Sequence, residues 1–215
     1  MELGQQLEQL GSFGFLFFDF VIQYLSKERD FTMKLPDLVI LDEKDKRLRQ
    51  ISENVTFPLA KEDKKRIQDM LDYLRMSQIE EIREKYDLRA GMGLAYIQLG
   101  INKRIFVVVE EVEEEKFENY VVINPKIISN SEELIYVGEG EGCLSINRET
   151  EGIVPRYARI TVEAYDIEGN PYTIRVREDL AIAFQHEIDH LNGILFTDRI
   201  DPKDPYKNAN HMREI

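Results

Sequence analysis

Residues 186–190 read His-Glu-Ile-Asp-His. Two imidazoles four positions apart on a helix project from the same face, one turn from each other, and can reach a single metal ion. Glu187 between them lies close enough to handle a proton on water at that ion. The helix that carries them must be buried, because Leu180, Ala181, Ala183, Phe184, Ile188 and Leu191 leave residues 179–191 almost wholly apolar. A metal-free core network of the two His and two carboxylates is the competing reading. It would bury several ionisable groups with no cation to compensate them.

A catalytic metal usually has three protein ligands and one open position, so a third ligand is required. A metzincin would place a His six residues after His190, where this chain has Phe196. Thermolysin-like enzymes use a downstream Glu, and after His190 the chain has only Glu214, next to its end. His211 follows the polar Asp201-Pro202-Lys203-Asp204-Pro205 segment and is expected in solvent. That leaves Cys143, the one thiol in the chain, in the glycine-containing run Gly140-Glu141-Gly142-Cys143-Leu144-Ser145. A single Cys elsewhere is usually a small core residue. Beside an unfilled two-His site the ligand reading prevails.

The elements that position these residues follow from length, composition and periodicity. At 215 residues and 43% hydrophobic, the chain supports one sizeable core. The division expected is an extension at 1–32, a single catalytic domain at 33–200 and a polar tail at 201–215. The apolar run at 13–25 is too short to span a bilayer and is interrupted by Asp19 and Gln23. It is either an extra helix packing on the body or sequence upstream of a natural start at Met33. Over 61–88, Ile67, Met70, Leu71, Leu74, Ile79 and Ile82 mark a surface helix with a break near Ser77. Strands are expected at 105–109, 120–128, 160–165 and 172–176, the last two forming a hairpin across Ile167-Glu168-Gly169-Asn170-Pro171. The acidic run at 110–118 is expected as a solvated loop. A net charge of −13 opposes binding to DNA and tight binding to RNA. One cysteine excludes an intramolecular disulfide, and no secretory signal is visible, so a cytoplasmic location is expected.

Glu141-Gly142-Cys143-Leu144-Ser145 and Gln185-His186-Glu187-Ile188-Asp189-His190 resemble the second and third motifs of the peptide deformylases, in particular the larger, Gram-positive-type branch. The first motif is present in altered form. The family usually reads Gly-x-Gly-Leu-Ala-Ala-Pro-Gln, and this chain reads Gly91-Met92-Gly93-Leu94-Ala95-Tyr96-Ile97-Gln98. The resemblance runs from about Met33 to Ile200. It implies an α+β fold with antiparallel strands packed around a buried C-terminal helix bearing the HExxH metal motif. It also implies removal of the N-formyl group from the initiator methionine of newly made chains, and so N-formyl-Met nascent peptides as substrates and a transient visit to the ribosome.

By the same resemblance, Cys143, His186 and His190 hold Fe(II), with Zn, Ni or Co as possible substitutes. The metal polarises the formyl carbonyl and lowers the pKa of its water, and Glu187 serves as general acid and base. The side-chain amide of Gln98 and the backbone N–H of Leu144 face the oxyanion. Gly91 and Gly93 lie along an extended peptide. Met92, Ile182 and the ring of His186 line the methionine pocket, although Ile182 equally fits plain core. Tyr96 and Ile97 replace a small Ala-Pro pair and are large enough to displace Gln98, which would leave a low-activity deformylase-like protein, but retained activity is expected because the three ligands, Glu187 and Gln98 are all present. Two other classes compete. One is a related metallo-amidohydrolase, which would not need Gln98 or the Gly91–Gly93 loop; the other is a binding protein with structural zinc, which would need a fourth ligand.

Overall fold

The computed structural model describes residues 34–114 and 116–215. The chain divides into two units, Met1–Lys34 and Leu35–Ile215. The extension expected at 1–32, with its apolar run, lies outside the described residues. No described helix is long and apolar enough to cross a membrane.

After a 3-10 turn at Lys46–Arg49, the second unit forms helix α1 (Lys61–Gln78) and a short α2 (Glu80–Tyr86), separated at Ile79, whose backbone is extended. The break near Ser77 is thus present, and Ser77 Oγ donates back to the Leu74 carbonyl at 2.8 Å in the last turn of α1. Strand β1 (Gly93–Ala95) leads into a 3-10 turn, Tyr96–Leu99, and then come β2 (Ile105–Glu113) and β3 (Lys116–Asn130). Strands β4 (Leu134–Tyr136), β5 (Arg156–Tyr157), β6 (Arg159–Tyr165) and β7 (Pro171–Arg177) follow, then α3 (Glu178–Leu191) and a terminal β8 (Arg213–Glu214). The first sheet has the order β1-β2-β3-β6-β7 with every pair antiparallel. The expected hairpin is β6–β7, with Val162 opposite Ile174.

Strand β2 explains the architecture. Its first five residues are all apolar and all fully buried, because the sheet is covered on both faces. Ile105, Val107 and Val109 join Ile67, Met70, Leu71 and Leu74 of α1. Phe106 and Val108 join Ala181, Phe184, Ile188 and Leu191 of α3. The antiparallel sheet therefore lies between the surface helix and the buried helix, an α+β arrangement.

Two expectations need correction. The acidic run at 110–118 is not a loop. Glu110 pairs with Glu118 and Glu111 with Phe117, so β2 and β3 continue through it, with a bulge near Glu113. Charge marks exposed side chains, and these are mostly exposed, but backbone pairing carries on regardless. The segment at 201–215 is not a free polar tail either. Strand β8 pairs in parallel with β4, and Arg213 donates to Glu133 at 2.9 Å and to Glu178 at 2.8 Å. His211 is exposed, as expected.

Helix α3 ends where Gly193 turns left-handed (φ +73°) and its N–H bonds back to the His190 carbonyl at 3.1 Å. A Cβ at Gly193 would lie 2.6 Å from the Arg49 carbonyl oxygen. Gly193→Ala should therefore lower unfolding free energy by at least about 1 kcal/mol, from left-handed strain plus the collision. Urea unfolding followed by circular dichroism measures this, and an unchanged midpoint would contradict the packing described.

Candidate metal centre

Helix α3 delivers His186, Glu187 and His190 from its buried face, and the loop between β4 and β5 delivers Cys143. The Cys143 sulfur and one ring nitrogen from each His lie within 4.8 Å of one another, all buried. Cys143 Sγ is 3.2 Å from His190 Nε2, and the two imidazoles stand 4.9 Å apart at 71°. His186 Nδ1 meets Glu141 Oε2 at 2.9 Å, which leaves Nε2 as the ring nitrogen for a metal. His190 Nδ1 and Glu187 Oε2 are buried with no partner among the described residues. One thiol and two imidazoles form a donor set suited to a divalent transition metal, and three donors leave one position for water or substrate. The residues fit a bound metal.

The electrostatics agree. Burial alone would lower the pKa of His186, yet the Cys143 sulfur and the Glu141 carboxylate outweigh it and raise the value well above that of free histidine. Such affinity for a proton is affinity that a cation uses in the proton's place. Burial, reinforced by His186 and Arg156, holds His190 well below the usual value, so it is the neutral imidazole that a ligand must be. Burial pushes Glu187 up to about 7, against the pull of His186 and Arg156.

The expected neighbours converge on one cavity of about 280 Å³. Gly91, Met92, Gly93 and Ile182 line it together with Gln98, Leu144, Cys143, His186 and Glu187, and His190 lies behind at 1% exposure. Gly93 has a steric reason: a Cβ there would collide with the Glu187 carboxylate. Gln98 is oriented by its own turn. Its Oε1 accepts the Ala95 N–H at 2.8 Å, so Nε2 faces Ser145 Oγ at 3.2 Å and Cys143 Sγ at 3.8 Å. The large residues at 96 and 97 do not displace it. Both are fully buried and point into different cores, Tyr96 towards α1 and Ile97 towards α3. Tyr96 also donates its hydroxyl proton to the Asp63 carbonyl at 2.8 Å.

Three participants escaped the sequence reading. Glu141 orients His186, and its place in the quoted motif could have flagged it as the carboxylate that a ligating His requires. Arg156 and Arg89 stand in no motif. Arg156 is 2% exposed and donates from Nε and Nη2 to the two Glu141 oxygens at 2.6 and 2.8 Å, and from Nη1 to Asp189 Oδ2 at 2.5 Å. Arg199 closes the far side of Asp189. Burial would raise Glu141, but Arg156 and then His186 hold it at about 2 against an ordinary 4.5. Arg89 donates to the backbone of the Cys143 loop, with its Nη2 2.8 Å from the Cys143 carbonyl.

Arg156→Leu would leave buried Glu141 with His186 and Asp189 with Arg199 as remaining partners, and loss of one partner from a buried pair lowers stability by about 3–5 kcal/mol. Metal affinity should fall about 10- to 100-fold as His186 loses its oriented partner. Because the pKa of Glu141 is depressed in the fold, its contribution is present above about 4.5 and is lost as pH falls towards about 2. Denaturant titrations across that window, with a competitive metal titration at neutral pH, measure both effects. Wild-type values for the variant would contradict the coupling.

The polypeptide deformylase family model matches residues 38–206. A peptide deformylase of Oceanobacillus iheyensis is 50% identical over 161 residues, covering 75% of this chain and 88% of that protein. Peptide deformylase 2 of Geobacillus stearothermophilus is 48% identical over 160 residues, covering 74% and 87%. Among solved structures, a peptide deformylase from Legionella pneumophila superposes with a TM-score of 0.63 at 33% identity, covering 77% of this chain and 87% of that one. With the family model spanning most of the chain and relatives at this identity, the chain belongs to the polypeptide deformylase family.

Proposed function

We propose that this protein removes the N-formyl group from the initiator methionine of newly synthesised chains in the cytoplasm, using a divalent metal held by Cys143, His186 and His190. The observation that carries this reading is the buried Glu187 oxygen, without a partner among the described residues, in the same cavity as Cys143, His186 and the Gln98 amide. A bound cation supplies a Lewis acid that polarises the formyl carbonyl and makes water easier to deprotonate there.

The chain's own groups do the rest. Glu187 takes the proton from water and returns it to the nitrogen as the formyl C–N bond breaks, releasing formate and a free amine. The Gln98 amide and the Leu144 N–H donate to the oxygen that gains negative charge in the tetrahedral intermediate. Gly91 and Gly93 let the peptide backbone lie close, while Met92, Ile182 and the His186 ring offer the methionine side chain an apolar wall. The placement of Tyr96 and Ile97 in the two cores supports retained activity over a weakened relative. A general amidohydrolase would have no use for an oriented Gln98 beside Gly93. Fe(II) is the metal we assign, and a thiolate ligand makes such a site sensitive to oxygen.

Anaerobic Fe(II)-loaded protein should release formate from formyl-Met-Ala and leave acetyl-Met-Ala intact. Chelation should abolish turnover, and fresh Fe(II) should restore it; turnover by the chelated protein would exclude the metal's role. Glu187→Gln should lose about 10²- to 10⁴-fold in kcat. Glu187 is active as the carboxylate, so kcat/KM should rise as pH rises through its pKa. In the metal-free chain that value is about 7, and a neighbouring cation favours the charged form, placing the acidic limb below 7. An acidic limb that persists unchanged in Glu187→Gln would assign the proton transfer to another group.

A further inference from the structure

Arg89 sits between α2 and β1, on the wall of the cavity, and its guanidinium reaches across to the loop that carries Cys143. Nη2 donates to the carbonyls of Cys143 and Ile146, each at 2.8 Å. Nη1 donates to the Leu144 carbonyl at 3.1 Å and to Asn147 Oδ1 at 2.5 Å. One planar side chain thus binds three backbone carbonyls and one side-chain oxygen within five residues.

The consequence lies in the peptide unit between Cys143 and Leu144. Its carbonyl belongs to Cys143 and its N–H to Leu144, and in a trans peptide the two point in opposite directions. The Cys143 carbonyl is held by Arg89 and also accepts the Ile146 N–H at 3.1 Å. Pinning that oxygen fixes the plane and so fixes the direction of the Leu144 N–H. A cationic donor on the carbonyl also polarises the amide and makes its N–H a stronger donor. The Leu144 carbonyl, held by the same guanidinium, stops the next peptide from swinging. The Ser145 N–H, 3.4 Å from the Cys143 sulfur, shows how close this backbone runs to the metal ligand.

We propose that Arg89 is a positioning residue that orients and polarises the Leu144 N–H for the oxyanion of the reaction. This rests on the deformylase reading above. It gives the arginine a task that a lysine could not take over, because an ammonium places one point charge where a planar fork spans four acceptors.

The test compares wild type, Arg89→Lys and Asn147→Ala, each loaded with one equivalent of metal. Two readouts are taken: kcat and KM on formyl-Met-Ala, and the amide resonance of the chain labelled with ¹⁵N-leucine at Leu144. Arg89→Lys should lower kcat about 10-fold or more, short of the 10²- to 10³-fold that follows loss of a whole oxyanion donor. KM should change by less than about twofold, as befits a contact made in the transition state. The Leu144 amide proton should move upfield as its peptide loses the charged partner. Asn147→Ala, which frees one arm of the fork, should shift both readouts in the same direction by less, and serves if Arg89→Lys fails to fold. A fall in kcat with the amide resonance unmoved overturns the proposal, as does a moved resonance with kcat intact. Absence of turnover in the wild type fails the deformylase reading instead, and the resonance still decides whether Arg89 orients Leu144.

Discussion

Arg156 bridges Glu141 and Asp189 in the interior, with both carboxylates and the guanidinium nearly inaccessible to water, and the metal site depends on that bridge. Helix α3 buries two imidazoles and two carboxylates among Phe184, Ile188 and Leu191, an arrangement that no amount of apolar packing tolerates unaided. The guanidinium pairs with Asp189 on the helix and Glu141 on the loop at once, and Arg199 brings a second positive charge to Asp189. In doing so it ties the loop that carries Cys143 to the helix that carries both His residues. The same contact keeps Glu141 ionised, which fixes the orientation of His186 through its Nδ1. Charge compensation and ligand geometry are one interaction.

From that follows an asymmetry between the acidic groups of the helix. Asp189 has Arg156 and Arg199 as partners and is structural. Glu187, two residues earlier, has a buried oxygen without a partner among the described residues and a pKa pushed up to about 7. A single turn of helix thus holds a carboxylate engaged by two arginines and another whose pKa lies near 7, where proton transfer in either direction is easy. Neither aspect is visible in the residue types alone.

Legibility in the sequence divides along the same line. The His186–His190 spacing, the apolar face around it and the lone Cys143 could be read directly, since each depends on local periodicity or on elimination. The helix at 61–78 and the β6–β7 hairpin were legible for the same reason. Arg156 and Arg89 were not, because an isolated arginine has no period, and what each does is defined by partners 15 to 58 positions away in sequence. The short strands β1, β4, β5 and β8 were missed because two or three residues are too few to show alternation. The acidic hairpin was misread because solvation of side chains says nothing about whether their backbone is paired.

The altered first motif shows how side-chain direction along β1 and the 3-10 turn after it protects the site. From Leu94 to Ile97 successive side chains alternate between the α1 core and the α3 core: Leu94 and Tyr96 to one, Ala95 and Ile97 to the other. A change of size at 96 or 97 is therefore absorbed by hydrophobic packing on opposite faces, and the two changes do not add their displacement at the turn between them. Tyr96 goes further and secures its turn to α1 through the Asp63 carbonyl, whose own carboxylate is held by Lys103 at 2.6 Å. Gln98 follows as the side-chain amide of the turn, oriented by the Ala95 N–H. The cavity sees that amide and not the substituted pair, so a motif can depart from its family at two of eight positions while the polar group beside Cys143 keeps its place.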